Sequence, residues 1–184
     1  MDGAEHADGL ALIVAEHRHI RELLERLELE ADASPDHLFD DLVESLSVHS
    51  ALEIELLYPL VARHVDGGAD LAKQGRLDHE EIDMTLYRLR EVSLSRQELR
   101  EEVAKLVVDV RHHLGEEETL LLPELERQAP PEALEELGRK LVKERGHVPT
   151  HPHPSAPKSK VGSRLAHRWL AAVDRLSDRR RGRS

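Results

Sequence analysis

One pattern of histidine, glutamate and proline occurs twice in this 184-residue chain with the same internal spacing. Each copy reads His-x-x-x-Glu-x-x-x-x-x-Pro, and the two copies comprise His49, Glu53 and Pro59, then His113, Glu117 and Pro123. A histidine and a glutamate four residues apart lie one turn apart on the same helix face, so both side chains reach toward one point. Imidazole and carboxylate are metal ligands in proteins. The repeat therefore indicates metal chemistry.

The hydrophobic pattern around each copy shows which helix face these residues occupy. Apolar residues recur in steps of three and four, as on the buried stripe of an amphipathic helix. The two stripes are Phe39, Leu42, Leu46, His49, Glu53, Leu56 and Leu60, and Leu99, Val103, Leu106, Val110, His113, Glu117 and Leu120. Each histidine and glutamate is therefore predicted to point into the core.

Two further segments each carry one histidine in an apolar register. His17 lies in the middle of a stripe over residues 10–27, and His79 opens a stripe that continues through Ile82 and Leu86. An uncompensated carboxylate in an apolar core costs several kcal/mol, comparable with the stability of a whole domain. Four inward histidines and two inward glutamates therefore predict a bound cation. The alternative, ordinary surface residues of an acidic helical protein, does not account for this shared register.

The composition limits both the fold and the chemistry. The chain is 39% hydrophobic but only 2% aromatic, and no β-type alternation appears, so we expect one aliphatic, all-α domain followed by a tail. The absence of cysteine excludes disulfides, thiolate metal sites, iron–sulfur clusters and thiol catalysis. No run reaches the roughly 18 apolar residues of a membrane span, and residues 1–9 do not resemble a signal peptide. A cytoplasmic protein is expected.

The net charge of −11 is unevenly distributed. Residues 158–184 contain nine Lys or Arg and two Asp, a net charge of +7, which leaves −18 on residues 1–157. The acidic body is not expected to bind nucleic acid, and the tail is expected to pack on the bundle. Contact of Arg179, Arg180 and Arg181 with a membrane surface or nucleic acid is the alternative.

Cap and turn signals predict four long helices. They cover about residues 9–31, 34–64, 69–92 and 95–128, with Asp8 and Ser95 as caps. Short connections favour an up-down-up-down antiparallel four-helix bundle. A short extra helix is expected at residues 131–144.

The chain is predicted to divide after residue 145. Residues 1–145 form the bundle domain, and residues 146–184 form a Pro/His linker and a basic amphipathic tail helix. Within the bundle, Pro59 and Pro123 are expected to kink their helices. Gly75 is a weak position that could delay the start of the third helix to near Arg76, as the alternative to a start at about residue 69.

The ligand set favours particular metals. Histidine and glutamate without cysteine favour iron or manganese over zinc, which usually occupies closed four-coordinate sites. Six ligands suit two ions better than one and leave coordination positions for solvent and a small exogenous molecule.

These motifs resemble the hemerythrin-like HHE cation-binding domain family. The resemblance covers about residues 10–128 and rests on the HxxxE and proline motifs of helices two and four, with single histidines on helices one and three. It implies a non-heme di-iron site with an oxo or hydroxo bridge. The ligands that it implies are His17, His49, Glu53, His79, His113 and Glu117.

One position departs from the oxygen-carrying hemerythrins, which have a second histidine four residues after the first on helix three. That position is Asp83, which we treat as a possible ligand, with solvent exposure as the alternative. The departure puts oxygen transport in doubt and favours reaction with peroxide or nitric oxide, or iron sensing. Tyr58 is a candidate second-sphere group, although simple packing is preferred. Glu116 and Glu118 are expected on a solvated acidic face, with contact of one of them to a ligand histidine as the alternative.

Two functions follow as hypotheses. The first is a non-heme di-iron protein that binds or turns over a small oxidant, namely O2, peroxide or nitric oxide. Whether it is an enzyme, either catalase-like or nitric-oxide-reactive, is left open, as is its oligomeric state. The second is a non-catalytic iron or oxygen sensor or iron-binding module. A metal-free helical interaction protein is a third reading.

Overall fold

A computed structural model of the chain describes residues 8–29 and 36–145. All regular structure within these ranges is helical, as expected, and none of it is strand. The elements are α1 (Gly9–Leu29), α2 (Asp36–Leu52), the π-helical turn π1 (Glu53–Leu57), α3 (Tyr58–His64), α4 (Gly68–Glu91), α5 (Arg96–Glu116), the π-helical turn π2 (Glu117–Leu121), α6 (Leu122–Gln128) and α7 (Pro131–Glu144). In the described ranges, no helix combines the length and hydropathy needed to cross a bilayer.

Side-chain caps determine where two of the helices begin. Asp8 Oδ1 accepts hydrogen bonds from the backbone N–H groups of Leu10 and Ala11, at 3.0 and 3.4 Å. Ser95 and Glu98 form a reciprocal capping box at the start of α5. Both predicted caps are confirmed.

The four long helices contact one another in a ring. α1 packs on α2, α2 on α4, α4 on α5, and α5 on α1, while α7 packs on α1 and π1. Each long helix thus has two neighbours among the four. Most residues of the predicted apolar stripes are buried or half-buried, but Leu99 and Leu120, which the sequence placed on a buried stripe, are exposed. The extra helix α7 is found where the sequence predicts it.

The core consists of two apolar clusters with a polar layer between them. One cluster contains Ile13, Leu52 and Leu125, and the other contains Ile20 and Leu106. Along each long helix, the ligand histidine occurs between members of the two clusters. Burial of the aliphatic residues on both sides stabilises the bundle and keeps the polar layer away from solvent.

Each motif proline follows a π-helical turn that the sequence analysis did not predict, and the kinks expected at the prolines stay a prediction. The Tyr58 N–H bonds to the Glu53 carbonyl five residues earlier, so the helix widens into π1 before Pro59. In that register the missing N–H of Pro59 leaves the Ile54 carbonyl without its helical donor. Arg76 Nη2 donates to this carbonyl instead, at 3.0 Å. The second motif widens in the same way at π2.

Gly75 does not delay the third long helix, because α4 begins at Gly68 and continues through it. A Cβ at position 75 would lie 2.5 Å from the Tyr58 hydroxyl. The absence of a side chain at Gly75 therefore leaves the space that the Tyr58 side chain occupies. Its cost in helix propensity is offset by the packing of a buried tyrosine.

The predicted linker and tail helix, including Trp169, lie outside the described residues. The division after residue 145 and the docking of the tail on the bundle therefore stay predictions.

Candidate metal centre

The six predicted ligands lie together in the polar layer between the apolar clusters. Each is at most 3% exposed. Their ligand atoms form two groups, each within 4.8 Å, namely His49, Glu53, His79 and His113, and His17, His49, Glu53 and Glu117. His49 and Glu53 belong to both groups. The arrangement joins residues from α1, α2, π1, α4, α5 and π2 in one compact cluster.

The carboxylate of Glu53 is the hub of the cluster. The Nε2 atoms that surround its two oxygens are those of His79 at 2.8 Å, His49 at 3.2 Å, His17 at 3.5 Å and His113 at 3.8 Å. Burial by itself raises the pKa of Glu53, but the charge of His49 and the bonds from the other histidines lower it well below its usual range. Glu53 is therefore ionised.

Glu117 has a different environment, because its partners include a tyrosine. The Tyr58 hydroxyl donates to Glu117 Oε1 at 2.9 Å and lies 3.5 Å from Glu53 Oε2. Burial, together with the charge of Glu53, raises the pKa of Glu117. Burial and both carboxylates also raise the pKa of Tyr58, so its hydroxyl keeps its proton. Tyr58 thus contacts the site directly, whereas the sequence analysis preferred simple packing.

The ligand histidines differ in how they hold protons. Burial lowers the pKa of His17, but Glu117 and Glu53 outweigh burial and raise it to about 10. His113 likewise reaches about 10, because the nearby carboxylates of Asp78 and Glu53 outweigh its burial. Burial dominates at His79 and lowers its pKa to about 4. Without metal, His17 and His113 are therefore cationic at neutral pH, and His79 is neutral.

A second layer of carboxylates faces the outer nitrogens of three ligand histidines. The pairs are His17 Nδ1 with Glu118 Oε1 at 2.9 Å, His49 Nδ1 with Glu16 Oε2 at 3.7 Å, and His113 Nδ1 with Asp78 Oδ2 at 3.8 Å. A carboxylate at Nδ1 favours the tautomer whose Nε2 lone pair is free for a metal. Glu118 is therefore not simply solvated, and the alternative given for it in the sequence analysis is correct.

Several buried atoms of the cluster have no hydrogen bond from any described residue. They are Nδ1 and Nε2 of His49, Nε2 of His113 and Oε2 of Glu117. Leaving such an atom unsatisfied costs about 1–3 kcal/mol. A cation beside Nε2 of His49, Nε2 of His113 and Oε2 of Glu117 would satisfy these three atoms, and a set of nitrogen and oxygen donors without sulfur suits iron. The residues therefore fit a metal ion.

Comparison with known proteins agrees with this geometry. The model of the hemerythrin HHE cation binding domain matches residues 8–125. The chain belongs to the hemerythrin HHE cation-binding domain family. An uncharacterized hemerythrin-like protein of Schizosaccharomyces pombe is 26% identical over 140 residues, which cover 76% of this chain and 69% of that protein. No solved structure matches the chain significantly.

The outer carboxylates of this hemerythrin domain include two residues that the sequence analysis missed, Glu16 and Asp78. Each directly precedes a ligand, as Glu118 directly follows one. All three contact a histidine on a different helix from their own, so the signal was an acidic residue beside a ligand. Sequence spacing within one helix does not reveal it, because the contact depends on how neighbouring helices are rotated.

The remaining candidates of the hemerythrin domain lie outside both ligand groups. Asp83 is half-buried, and burial together with the nearby Glu80 raises its pKa to about 6. Its role as a ligand stays a prediction. His112, the neighbour of the predicted ligand His113, is exposed, with Nε2 3.6 Å from Glu116 Oε1.

Proposed function

We propose that this hemerythrin domain holds two non-heme iron ions at the six buried ligands and binds or turns over a small oxidant, either peroxide, nitric oxide or O2. The main support is the pair of overlapping ligand groups that share His49 and Glu53. Two neighbouring ions with shared carboxylates would use both groups at once. Manganese is the less favoured alternative.

The two proposed ions differ in the ligands that they do not share. His79 and His113 would hold one ion, and His17 and Glu117 would hold the other. Glu53 has two carboxylate oxygens and would serve both ions, whereas His49 has one inward nitrogen and would serve one of them. Iron would supply the redox chemistry, which none of the protein groups supplies. The protein would contribute ligand orientation, exclusion of water and placement of protons.

The residues of the chain support these three contributions. The apolar clusters on both sides of the polar layer exclude bulk water. Glu118, Glu16 and Asp78 face the outer nitrogens of the histidines and so orient their Nε2 atoms inward. Tyr58 holds a proton on its hydroxyl at the edge of the site, where it keeps Glu117 in place.

Peroxide or nitric oxide is favoured over reversible O2 carriage because of Asp83. This residue stands where oxygen-carrying relatives have a further histidine, four positions after His79. A centre with fewer imidazoles is more open or more rich in carboxylates. The inference from ligand number applies to reactivity and leaves the identity of the oxidant to experiment.

The decisive experiment combines metal quantitation with optical spectra before and after addition of hydrogen peroxide. We expect close to two irons per chain, near-ultraviolet absorption, and loss of peroxide with a change in the spectrum. His113→Ala should lose at least one of the two ions and the absorption of the pair, whereas His112→Ala on the exposed neighbouring position should retain both ions and the absorption. Colourless, iron-free protein from iron-replete cells would contradict the proposal.

A second function is a non-catalytic iron sensor or iron-binding module. It is favoured by one contact, in which Arg145 at the end of α7 binds Glu16, the carboxylate that faces His49. The site is thus connected to the point where the predicted linker begins. This function predicts no peroxide turnover, together with a large difference in tail proteolysis between metal-free and loaded protein.

We also propose the up-down-up-down order of the four long helices, which the ring of contacts supports. The cytoplasmic location expected from the sequence stays a prediction.

A further inference from the structure

The outer carboxylate Glu16 connects the ligand His49 to the end of α7. Glu16 Oε1 accepts a hydrogen bond from Arg145 Nη1 at 2.8 Å, and Glu16 Oε2 lies 3.7 Å from His49 Nδ1. Arg145 immediately follows α7 and is its C-terminal cap residue. Contacts among these three side chains therefore connect the end of α7 to α1 and α2.

A second series of contacts, also from an arginine through a glutamate to a histidine, shows how such an arrangement holds a predicted ligand. Arg21 Nη1 donates to Glu118 Oε1 at 2.7 Å, and this oxygen lies 2.9 Å from His17 Nδ1. There the arginine and the histidine share one oxygen at hydrogen-bond distance. The contact of Glu16 with His49 is longer, at 3.7 Å, so Glu16 faces His49 as a nearby charge and not through a direct hydrogen bond.

The position of His49 matters more than that of most ligands, because it belongs to both ligand groups. Its Nε2 atom lies 3.2 Å from Glu53 Oε2, while Nδ1 faces Glu16. A metal can use the Nε2 lone pair only when the ring proton is on Nδ1. A carboxylate held beside Nδ1 favours that state and fixes the plane of the ring.

Arg145 holds Glu16 at the edge of a cavity of about 400 Å³ between α1 and α2, and both residues line it. The Glu16 side chain is 10% exposed, whereas that of Arg145 is 58% exposed. Removal of the guanidinium would leave a carboxylate facing the cavity without its charged donor. Water would then compete for the carboxylate, which would no longer be held toward His49.

We propose that Arg145 is a positioning residue of the metal centre, which acts through Glu16 on the ligand His49. The proposal rests on the proposed metal centre. Arg145 lies beyond residue 125, where the family match ends. In this proposal the end of α7 therefore contributes to the metal centre. Retention of metal then depends on a segment outside the family domain.

Iron release tests this role, with a matched control on the same helix. Arg139 lies on α7 in exposed ion pairs with Glu135 and Glu136, away from the ligands. Protein loaded anaerobically with ferrous iron is mixed with excess bipyridine, and the rate of iron loss is recorded. We expect Arg145→Gln to release iron about ten-fold faster than the wild type. Arg139→Gln should match the wild type, and Arg145→Lys should restore part of the retention. Equal rates for the two glutamine variants would overturn the proposal.

A second measurement follows His49 itself in metal-free protein. In ¹⁵N-histidine spectra, Arg145→Gln should move the ring nitrogens of His49 and leave those of His17 in place. In a Glu16→Gln background, Arg145→Gln should cause no further change, because the effect passes through Glu16. Unmoved His49 resonances, or equal shifts in both histidines, would refute the link. Because this measurement needs no metal, it remains decisive even if the wild type fails to retain iron, a result that would count against the proposed function.

Discussion

The two copies of the HxxxE motif share one spacing and one backbone form, yet their glutamates have opposite electrostatic surroundings. Each glutamate begins a π-helical turn that ends before a proline. Histidines surround Glu53 and lower its pKa, whereas burial and the charge of Glu53 raise the pKa of Glu117. The motif therefore sets where a carboxylate stands, and the neighbouring helices set its protonation.

The largest difference between the copies should appear when each glutamate is replaced. Glu53 belongs to both ligand groups and Glu117 to one. We expect Glu53→Gln to reduce bound iron to near zero and Glu117→Gln to retain about one ion per chain, because one complete group survives. Iron quantitation after gel filtration measures the effect. Equal losses in the two variants would show that the copies contribute equally and that the hub role of Glu53 is wrong.

The two copies also differ in which residues are protonated without metal, and the number of protons released on metal binding should show this difference. His113 in the second copy has a pKa of about 10 in the metal-free protein, as does His17, while Glu53 in the first copy is ionised. Metal must displace the histidine protons, so we expect about two protons released per loaded chain at pH 7.5. Calorimetry in buffers of different ionisation enthalpy counts them.

The raised pKa values of His17 and His113 determine how the stability of the metal-free protein and its metal affinity change with pH. Between about pH 6.5 and 10 the folded, metal-free protein binds protons at His17 and His113 that the unfolded chain has lost. The stability that they contribute is complete below pH 6.5 and is lost as the pH rises toward 10. The apparent metal affinity should increase over the same interval. A metal affinity that stays constant from pH 6.5 to 9 would contradict the assignment.

Packing beside the first copy should be more sensitive to an added methyl group than packing beside the second. A Cβ at Gly75 would meet the Tyr58 hydroxyl at 2.5 Å, whereas one at Gly115 has no heavy atom within 4 Å. We expect Gly75→Ala to lower the free energy of unfolding by about 1–3 kcal/mol. Gly115→Ala should raise it by about 0.5–1 kcal/mol through helix propensity. Urea unfolding of metal-free protein gives both values, and similar destabilisation by both would mean that the Tyr58 contact is not limiting.

The sequence was sufficient to predict the inward direction of the six proposed ligands, because burial and spacing act within one helix. The apolar register of His17 and His79 predicts their inward direction, and the structure brings them to the hub at Glu53. A proline pattern shows that a backbone bond is lost, but not that the chain widens into a π turn whose free carbonyl is bound by Arg76. That outcome depends on a partner 22 residues away in sequence.

Contacts between helices explain the other features that the sequence analysis did not predict. The roles of Glu16 and Asp78 depend on the rotation of one helix against another, which hydrophobic periodicity constrains to a face and not to an atom. Gly75 illustrates the same limit, since helix propensity describes its cost within α4 and not the tyrosine that needs its space.

The smallest expected effect concerns the hydroxyl that links the copies. Tyr58 precedes the first motif proline and donates to Glu117 of the second copy at 2.9 Å. Tyr58→Phe keeps the packing and removes this bond, so we expect the metal-free protein to lose about 1 kcal/mol of stability. Iron content should stay at the wild-type value, because no ligand is removed. Tyr87→Phe, at the other tyrosine of the chain, is the control for loss of a hydroxyl in α4. If both variants unfold at the same urea concentration, the bond between the copies contributes nothing measurable, and their coupling must pass through Glu53 and the histidines alone.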